Sequence, residues 1–349
     1  MYLTRDKTKI LQGVAILCML GLHLFNRIDI FNYYDVSLYV SIFGVSTPLL
    51  TIISYSFDCC VPIYLFCSGY GLAKNYMGNS IQYNNKNFTR IMNLVYRYWI
   101  IMIITCIIGY YMGMRDVYPG SLANFIGNIF LLKSSYVGAF WFVQTYILLV
   151  ILSKKIFKII EKYEYKLVII ISFLLYIFAF IVEKKILVIS MNESLHLFIN
   201  ALMLLLRSQF SFVIGGIFAY KTIVNKNIEK LLSNNIIAAL ILICVISIRE
   251  LVLKSMIFAP FSAIVFIILL CCHRYTTPTQ KVLLYFGNHS TNMWLTHMQY
   301  YMIFATSFVF MSRNVFVIFI TLIVLSLISS YIIEYVYNAI NYLIYKKWN

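Results

Sequence analysis

The chain has 349 residues, of which 62% are hydrophobic and only 11% are charged. Because a soluble domain carries about a quarter charged residues, this composition excludes an ordinary water-soluble fold and requires lipid around much of the surface. The formal net charge of +16 would suggest a nucleic-acid partner in a soluble protein, but the sequence contains no nucleic-acid motif. The eight cysteines show no zinc spacing, so we interpret them as small buried hydrophobes and expect no metal.

Windows of roughly 20 mostly apolar residues predict about ten membrane-spanning helices. In chain order the windows lie near residues 10–27, 49–73, 93–113, 138–153, 167–183, 196–220, 236–252, 255–272, 282–311 and 315–337. The ninth window is too long for one perpendicular helix, so we expect it to tilt or to break near Asn288. The aromatic and polar segment 28–48 is interpreted as an outer loop, and its re-entry into the protein is left open.

The basic residues predict the orientation of these helices. Arg5, Lys7 and Lys9 precede the first window, and no small-residue cleavage site follows it, so we interpret it as an uncleaved span. Lys and Arg are more frequent in the connections that this layout places inside, which follows the positive-inside rule. The predicted fold class is an all-α integral membrane protein, a bundle of about ten transmembrane helices with both termini cytoplasmic. No connection is long enough for a further folded domain, so residues 1–349 are predicted to form a single multi-pass transmembrane domain.

The first window carries a histidine at membrane depth. Such polar side chains are costly in lipid and are therefore candidate site residues. His23 lies near the outer end of the window, and Gln12 is on nearly the same helix face, about 16 Å away. Lys9 lies about 40° off this face and Arg5 returns to it, so a helix reaching Arg5 has basic residues at its cytoplasmic end. This pattern suits a thioester donor whose phosphates stay at that end; the alternative is a histidine bonded to a neighbouring carbonyl for packing.

The second window combines an acid, a proline and small residues. Pro62 removes a backbone donor and is expected to kink the helix. Ser68 and Gly69 allow close approach of a backbone or a ligand, although small residues also serve helix packing. Asp58 has two interpretations: it orients His23 or holds a water, or it faces the outer aqueous layer.

Arginines in later windows need partners. Arg90 and Arg97 open the third window, and their guanidinium groups suit phosphate binding, with snorkelling beside an aromatic belt as the alternative. Arg207 lies inside a span, and Glu334 in the last span is one possible partner for a structural or functional ion pair.

The ninth window is unusually polar. Ser290, Trp294, His297 and Tyr301 follow a 4-3-4 spacing, which places them on one face of a helix. This face, with Asn292 nearby, is predicted to line a pocket for a sugar or an acyl group. Hydrogen bonding between helices is the alternative for some of these side chains.

Four segments together resemble the integral-membrane acyltransferase family 3, whose members include bacterial O-acetyltransferases that act on cell-surface polysaccharides. They are Leu11–Leu17 with His23, Val61–Tyr70, Phe140–Phe142, and Phe286–Ser290 with Trp294–His297. The segments occur in family order over most of the chain from residue 9 to about 300. Gln12 and Asn93 stand where the family commonly has basic residues, which shifts donor binding to Lys9, Arg5 and Arg97.

The resemblance implies a membrane O-acyltransferase in the bacterial cytoplasmic membrane. It would take acetyl-CoA as a cosubstrate, with no tightly bound cofactor, and acetylate a glycan or a lipid-linked saccharide among membrane lipids, with no nucleic-acid partner. His23 is the predicted general base for the acceptor hydroxyl, and a covalent acyl-histidine is an alternative. The expected roles are catalysis by His23 and Asp58, binding of the donor phosphates by Lys9, Arg90 and Arg97, and binding of substrate by Ser68, Gly69, Tyr70, Trp141, Ser290, Asn292, Trp294 and His297.

Two other functional classes are alternatives for a membrane protein with many spans. A transporter or flippase of a lipid-linked saccharide would also have many spans and buried polar groups, but the sequence shows no inverted repeat. A non-catalytic membrane scaffold is disfavoured by the polar residues of the ninth window.

Overall fold

A computed structural model describes residues 3–26, 33–36, 38–42, 45–186, 192–221, 225–251 and 255–348. These residues form helices almost throughout, together with one antiparallel hairpin. The first seven helices and the hairpin are α1 (Arg5–Phe25), β1 (Tyr39–Ile42), β2 (Val45–Pro48), α2 (Leu49–Tyr55), α3 (Cys60–Gly78), α4 (Tyr83–Tyr111), α5 (Leu122–Ile129), α6 (Trp141–Lys162) and α7 (Tyr165–Ile186). The remaining helices are α8 (Glu193–Tyr220), α9 (Lys226–Leu232), α10 (Asn235–Leu251), α11 (Ala259–Cys272), α12 (Thr277–Met298), α13 (Thr306–Phe310) and α14 (Val315–Trp348).

Six helical segments in the described part of the chain are long and apolar enough to cross a membrane. They are Arg5–Phe25, Leu49–Gly78, Tyr83–Tyr111, Tyr165–Lys185, Glu193–Tyr220 and Val315–Leu343. Helices α9 and α10 would add a seventh span if counted together, although they meet at an angle of 84°. The prediction of an all-α membrane protein is confirmed, whereas the number of about ten spans and the orientation of the termini remain predictions.

The ninth predicted span does not break near Asn288. Helix α12 is continuous through this residue, and the irregularity follows it as a π-helical segment, Gln299–Phe304. The break is absent because Gly287, the preceding residue, packs directly on α1: a Cβ there would come 2.0 Å from the Lys9 carbonyl oxygen. Close backbone packing of this kind holds a helix that contains glycine and asparagine in a regular conformation.

Pro62 lies in the first turn of α3, where a missing backbone donor is tolerated. A 3₁₀ turn, Ser56–Cys59, precedes α3 within the second span. Part of segment 28–48 forms the β1–β2 hairpin, with Tyr39 opposite Pro48, and Leu38 and Tyr39 are exposed. Residues 28–32, 37 and 43–44 of the predicted outer loop lie outside the described residues, as does residue 27 of the first window.

The chain divides into two compact units. The first unit comprises Met1–Asn32, Val36–Tyr83 and Ile151–Ser290, and the second comprises Tyr33–Asp35, Asn84–Val150 and Thr291–Asn349. In the first unit α8 packs on α3 and α7, and α1 packs on α3. The core of the second unit is aromatic and aliphatic, and includes Tyr98, Phe140, Tyr301 and Leu322. The single transmembrane domain over residues 1–349 remains a prediction.

Candidate active site

Helix α1 carries the predicted histidine and basic residues in the first unit. Its amino terminus is capped by Thr4, whose side chain accepts a hydrogen bond from the Lys7 backbone N–H, so the helix extends to Arg5. The predicted stripe therefore exists on one continuous helix, with His23 half-buried near the other end. The Lys9 ammonium donates a hydrogen bond to the Gly287 carbonyl at 3.3 Å and is partly buried.

Asp58 is held by a buried arginine. Its carboxylate accepts a hydrogen bond from Arg249 on α10, and the two side chains are only 2% and 3% exposed. Arg249 also donates to the Ser255 carbonyl at 2.7 Å and lies 5.0 Å from the ring centre of Tyr55. The interpretation that Asp58 faces an aqueous layer is wrong, because Asp58 is buried in the 3₁₀ turn Ser56–Cys59 and paired with Arg249 of α10. Its role in orienting His23 remains a prediction.

The small residues of α3 take part in helix packing. Gly69 lies against α8 so closely that a Cβ would come 1.9 Å from the Phe212 carbonyl oxygen. Ser68 donates to the Tyr64 carbonyl of its own helix at 2.8 Å, and the Tyr70 hydroxyl accepts from the Leu3 N–H at 3.2 Å. Their predicted contact with substrate remains a prediction.

Ser290 is also used locally. Its hydroxyl donates to the Gly287 carbonyl, three residues earlier on α12, at 2.9 Å, and its side chain is buried. This bond satisfies the Ser290 hydroxyl, which would otherwise be costly at membrane depth. Contact of Ser290 with substrate remains a prediction.

In the second unit, the end of α12 presents a buried histidine among aromatic rings. His297 is fully buried, and its Nδ1 lies 2.7 Å from the Trp294 carbonyl oxygen. Because a carbonyl can only accept, Nδ1 of His297 carries a hydrogen and donates it to this oxygen. Trp294 packs edge-on against Phe142 at 5.3 Å, next to the half-buried Trp141 at the start of α6.

The π-helical segment after α12 interrupts the predicted 4-3-4 spacing at Tyr301, but Tyr301 still contacts His297. Tyr301 belongs to this segment, and its ring still stacks near His297 at 6.2 Å. Gln299 donates to the Thr105 hydroxyl on α4 at 2.6 Å, and Tyr300 is hydrogen-bonded to Ser329 on α14. Segments of this kind are frequent at functional sites, and the sequence pattern contained no signal for it.

Arg97, a predicted phosphate ligand, forms an ion pair with Glu334. Its guanidinium donates to both oxygens of Glu334, at 3.0 and 3.1 Å, and lies 4.0 Å from the Tyr337 ring centre. Asn292 donates to the same carboxylate at 3.4 Å, and its own Oδ1 is buried with no hydrogen-bond partner among the described residues. Asn292 therefore has an acceptor left for a ligand.

Two other arginines were also predicted to need partners. Arg207 pairs with Glu183 on the neighbouring helix α7 at 2.5 Å, so the suggested pairing with Glu334 is wrong. Arg90 donates to the Asn87 side chain on its own helix at 3.0 Å and is half-buried.

Two tyrosines in the connections around α5 are buried. Burial raises the pKa of both Tyr118 and Tyr136, so both remain neutral phenols at physiological pH. The Tyr118 hydroxyl donates to the Tyr136 carbonyl at 2.8 Å, and the Tyr136 hydroxyl donates to the Pro119 carbonyl at 2.6 Å. These bonds hold the two connections together as one wall within the second unit.

A family model described as an acyltransferase domain matches residues 8–335. The chain belongs to acyltransferase family 3. The match takes in His23, Asp58 and Arg249 of the first unit and His297 and Glu334 of the second. With its apolar helices, the protein is a multi-pass membrane acyltransferase. No curated protein and no solved structure matches the chain.

No group of three His, Cys, Asp or Glu side chains in the described ranges is arranged to hold a metal ion. The predictions that this acyltransferase lacks a metal and a tightly bound cofactor remain predictions.

Proposed function

We propose that this acyltransferase moves an acetyl group from cytoplasmic acetyl-CoA to a hydroxyl of a cell-surface polysaccharide or its lipid-linked precursor, in the bacterial cytoplasmic membrane. The observation that carries the proposal is the acyltransferase match over residues 8–335 on a chain whose first helix bears a half-buried histidine. Polar groups at membrane depth in such a protein are retained for function more often than for packing.

Helix α1 supports a donor that approaches along its length. Lys9 and His23 are fourteen residues apart, which corresponds to about 21 Å along the helix axis. A phosphorylated donor can therefore keep its charges near Arg5 and Lys9 while its thioester lies deeper, beside His23. In the second unit, Arg97 is a further predicted phosphate ligand and would bind a phosphate only by releasing its present carboxylate partner, Glu334.

The chemical step is direct acyl transfer. His23 accepts the proton of the acceptor hydroxyl as its oxygen attacks the thioester carbonyl carbon. The carbon–sulfur bond then breaks, and the departing thiolate takes the proton from the imidazolium, so that the ring returns to its neutral form. A covalent acyl-histidine would split the same transfer into two steps.

Aromatic rings and hydrogen-bonding groups in the second unit are suited to the acceptor. Trp141 and Trp294 offer flat faces on which sugar rings stack. The Oδ1 of Asn292 can accept a hydrogen bond from a sugar hydroxyl, and the buried imidazole of His297 lies on the same helix, five residues further on.

The test uses purified full-length protein in lipid nanodiscs, supplied with acetyl-labelled acetyl-CoA and glycan acceptors. We expect the wild type to label the glycan and His23→Ala to lose labelling while keeping its thermal unfolding midpoint. His196→Ala is the matched control, since His196 is also half-buried and has no assigned role. Retained transfer by His23→Ala would remove its role as base, and labelled protein formed without acceptor would favour the acyl-enzyme route.

A further inference from the structure

An apolar groove lies on the outside of α4 in the second unit. Its volume is about 580 Å³, which is in the range of ligand pockets. It is lined by Ile103, Cys106, Ile107 and Tyr110 of α4 and by Leu122 and Phe125 of α5. Much of this lining is open to the surroundings, since Ile107 is 52% exposed and Leu122 is 72% exposed. In a membrane protein, such a groove opens to lipid chains.

One end of the groove carries positive charge. The guanidinium group of Arg115 lies 4.3 Å from the ring centre of Tyr110, a lining residue. The side chain of Lys133 packs against Gly127 of α5, the helix that forms the other wall. Between Met112 and Ser135 the chain carries Arg115 and Lys133 against one acidic residue, Asp116, so the connections around α5 have a net positive charge. An apolar groove with an arginine at its mouth matches a lipid with an anionic head group.

The groove is connected to the His297 region by contacts within the second unit. Thr105 lies between groove residues on α4, but its hydroxyl accepts the hydrogen bond from Gln299, two residues after His297. Tyr118, next to the groove residue Pro119, packs with its ring tilted against Phe304 of the π-helical segment, at 5.9 Å between ring centres. A molecule in the groove therefore lies against the wall that supports the acceptor-binding side chains.

We propose that this groove holds the polyisoprenoid tail of a lipid-linked saccharide, with the lipid phosphate at Arg115. The inference rests on the proposed function and selects the lipid-linked precursor, rather than the finished polysaccharide, as acceptor. In the predicted orientation, the α4 end at Tyr111 faces away from the cytoplasm, which is the side where such saccharides are assembled into surface polymers. Each buried methylene of the tail adds to binding, and the basic mouth favours its phosphate.

Binding is tested by photolabelling of the full chain in nanodiscs of phosphatidylethanolamine and phosphatidylglycerol. The probe is a polyisoprenyl phosphate with a diazirine in its tail, and a phosphatidylglycerol with a diazirine in its acyl chain is the comparison. We expect the isoprenoid probe to label peptides within 103–125 and unlabelled polyisoprenyl phosphate to displace it. Equal labelling or equal displacement by the phospholipid would overturn the proposal, because the groove would then be a general lipid site.

Its contribution to acyl transfer is tested by filling the groove. Ile107→Trp should raise the KM for a lipid-linked acceptor about tenfold, the loss expected if roughly two buried methylene groups are displaced. The KM for the same oligosaccharide without its tail should not change. Ile320→Trp, at a 57% exposed position on α14, is the matched control and should change neither value.

The two proposals fail in different ways. If Ile107→Trp leaves both acceptors unaffected or impairs both equally, the groove does not bind the tail. If the wild type acetylates neither acceptor, the proposed function fails, and the photolabelling still decides what the groove binds.

Discussion

Asp58→Asn should destabilise the protein strongly, because it removes the charge that compensates a buried arginine. Both side chains of the Asp58–Arg249 pair are at most 3% exposed, so solvent screens their attraction little. Two unit charges about 4 Å apart attract by about 4 kcal/mol at an effective dielectric constant of 20. Breaking one side of a buried pair costs about 3–5 kcal/mol in the free energy of unfolding, since the other charge stays buried.

The chain offers a matched control with the same chemical change at an exposed pair. Asp35 pairs with Arg313 at 2.8 Å, but their side chains are 72% and 53% exposed. Asp35→Asn should therefore cost only about 0–1 kcal/mol. The assay is thermal unfolding of the purified protein in detergent, followed by intrinsic fluorescence. We expect the midpoint of Asp58→Asn to fall by on the order of 10 °C and that of Asp35→Asn to stay close to the wild type.

A double variant separates lost charge compensation from lost packing. Asp58→Asn combined with Arg249→Met removes both charges, and should be more stable than Asp58→Asn alone, because no uncompensated charge remains. The reasoning is refuted if Asp58→Asn and Asp35→Asn unfold at the same temperature. It is also refuted if the double variant loses as much free energy of unfolding as Asp58→Asn and Arg249→Met lose separately when added together. The two residues would then not interact.

Three further predictions follow from the same structure. Gly69→Ala should lower the yield of folded protein in detergent because its Cβ meets a backbone carbonyl of α8, whereas Gly71→Ala, with open space around it, should not; equal yields would contradict the packing. Glu334→Gln should lower the KM for acetyl-CoA by about 2–5-fold, because the Glu334 carboxylate competes with the donor phosphates for Arg97. An unchanged KM would contradict this competition and leave the Arg97–Glu334 pair with a structural role only. Reporter fusions at Lys133 and Lys158 should report opposite sides of the membrane, and the same side for both would refute the predicted orientation.

The sequence alone determined that lipid surrounds the chain and where residues lie on a single helix. Its apolar content required lipid, and this holds for any arrangement of the helices. Helix periodicity also placed Arg5 and His23 on one face, with Lys9 about 40° off it, because the positions of residues on a single helix depend only on its pitch. Both inferences concern neighbours within one segment or the average of the whole chain, and the structure agrees with both.

Tertiary structure decided which charges meet. Arg97 and Glu334 are 237 residues apart, and Asp58 and Arg249 are 191 apart, so no local pattern indicates either pair. Sequence reasoning instead offered Glu334 to Arg207, because several acids and bases at membrane depth can be combined in more than one way. Only helix packing, with contacts such as Gly69 on α8, determines which of them come within hydrogen-bonding distance.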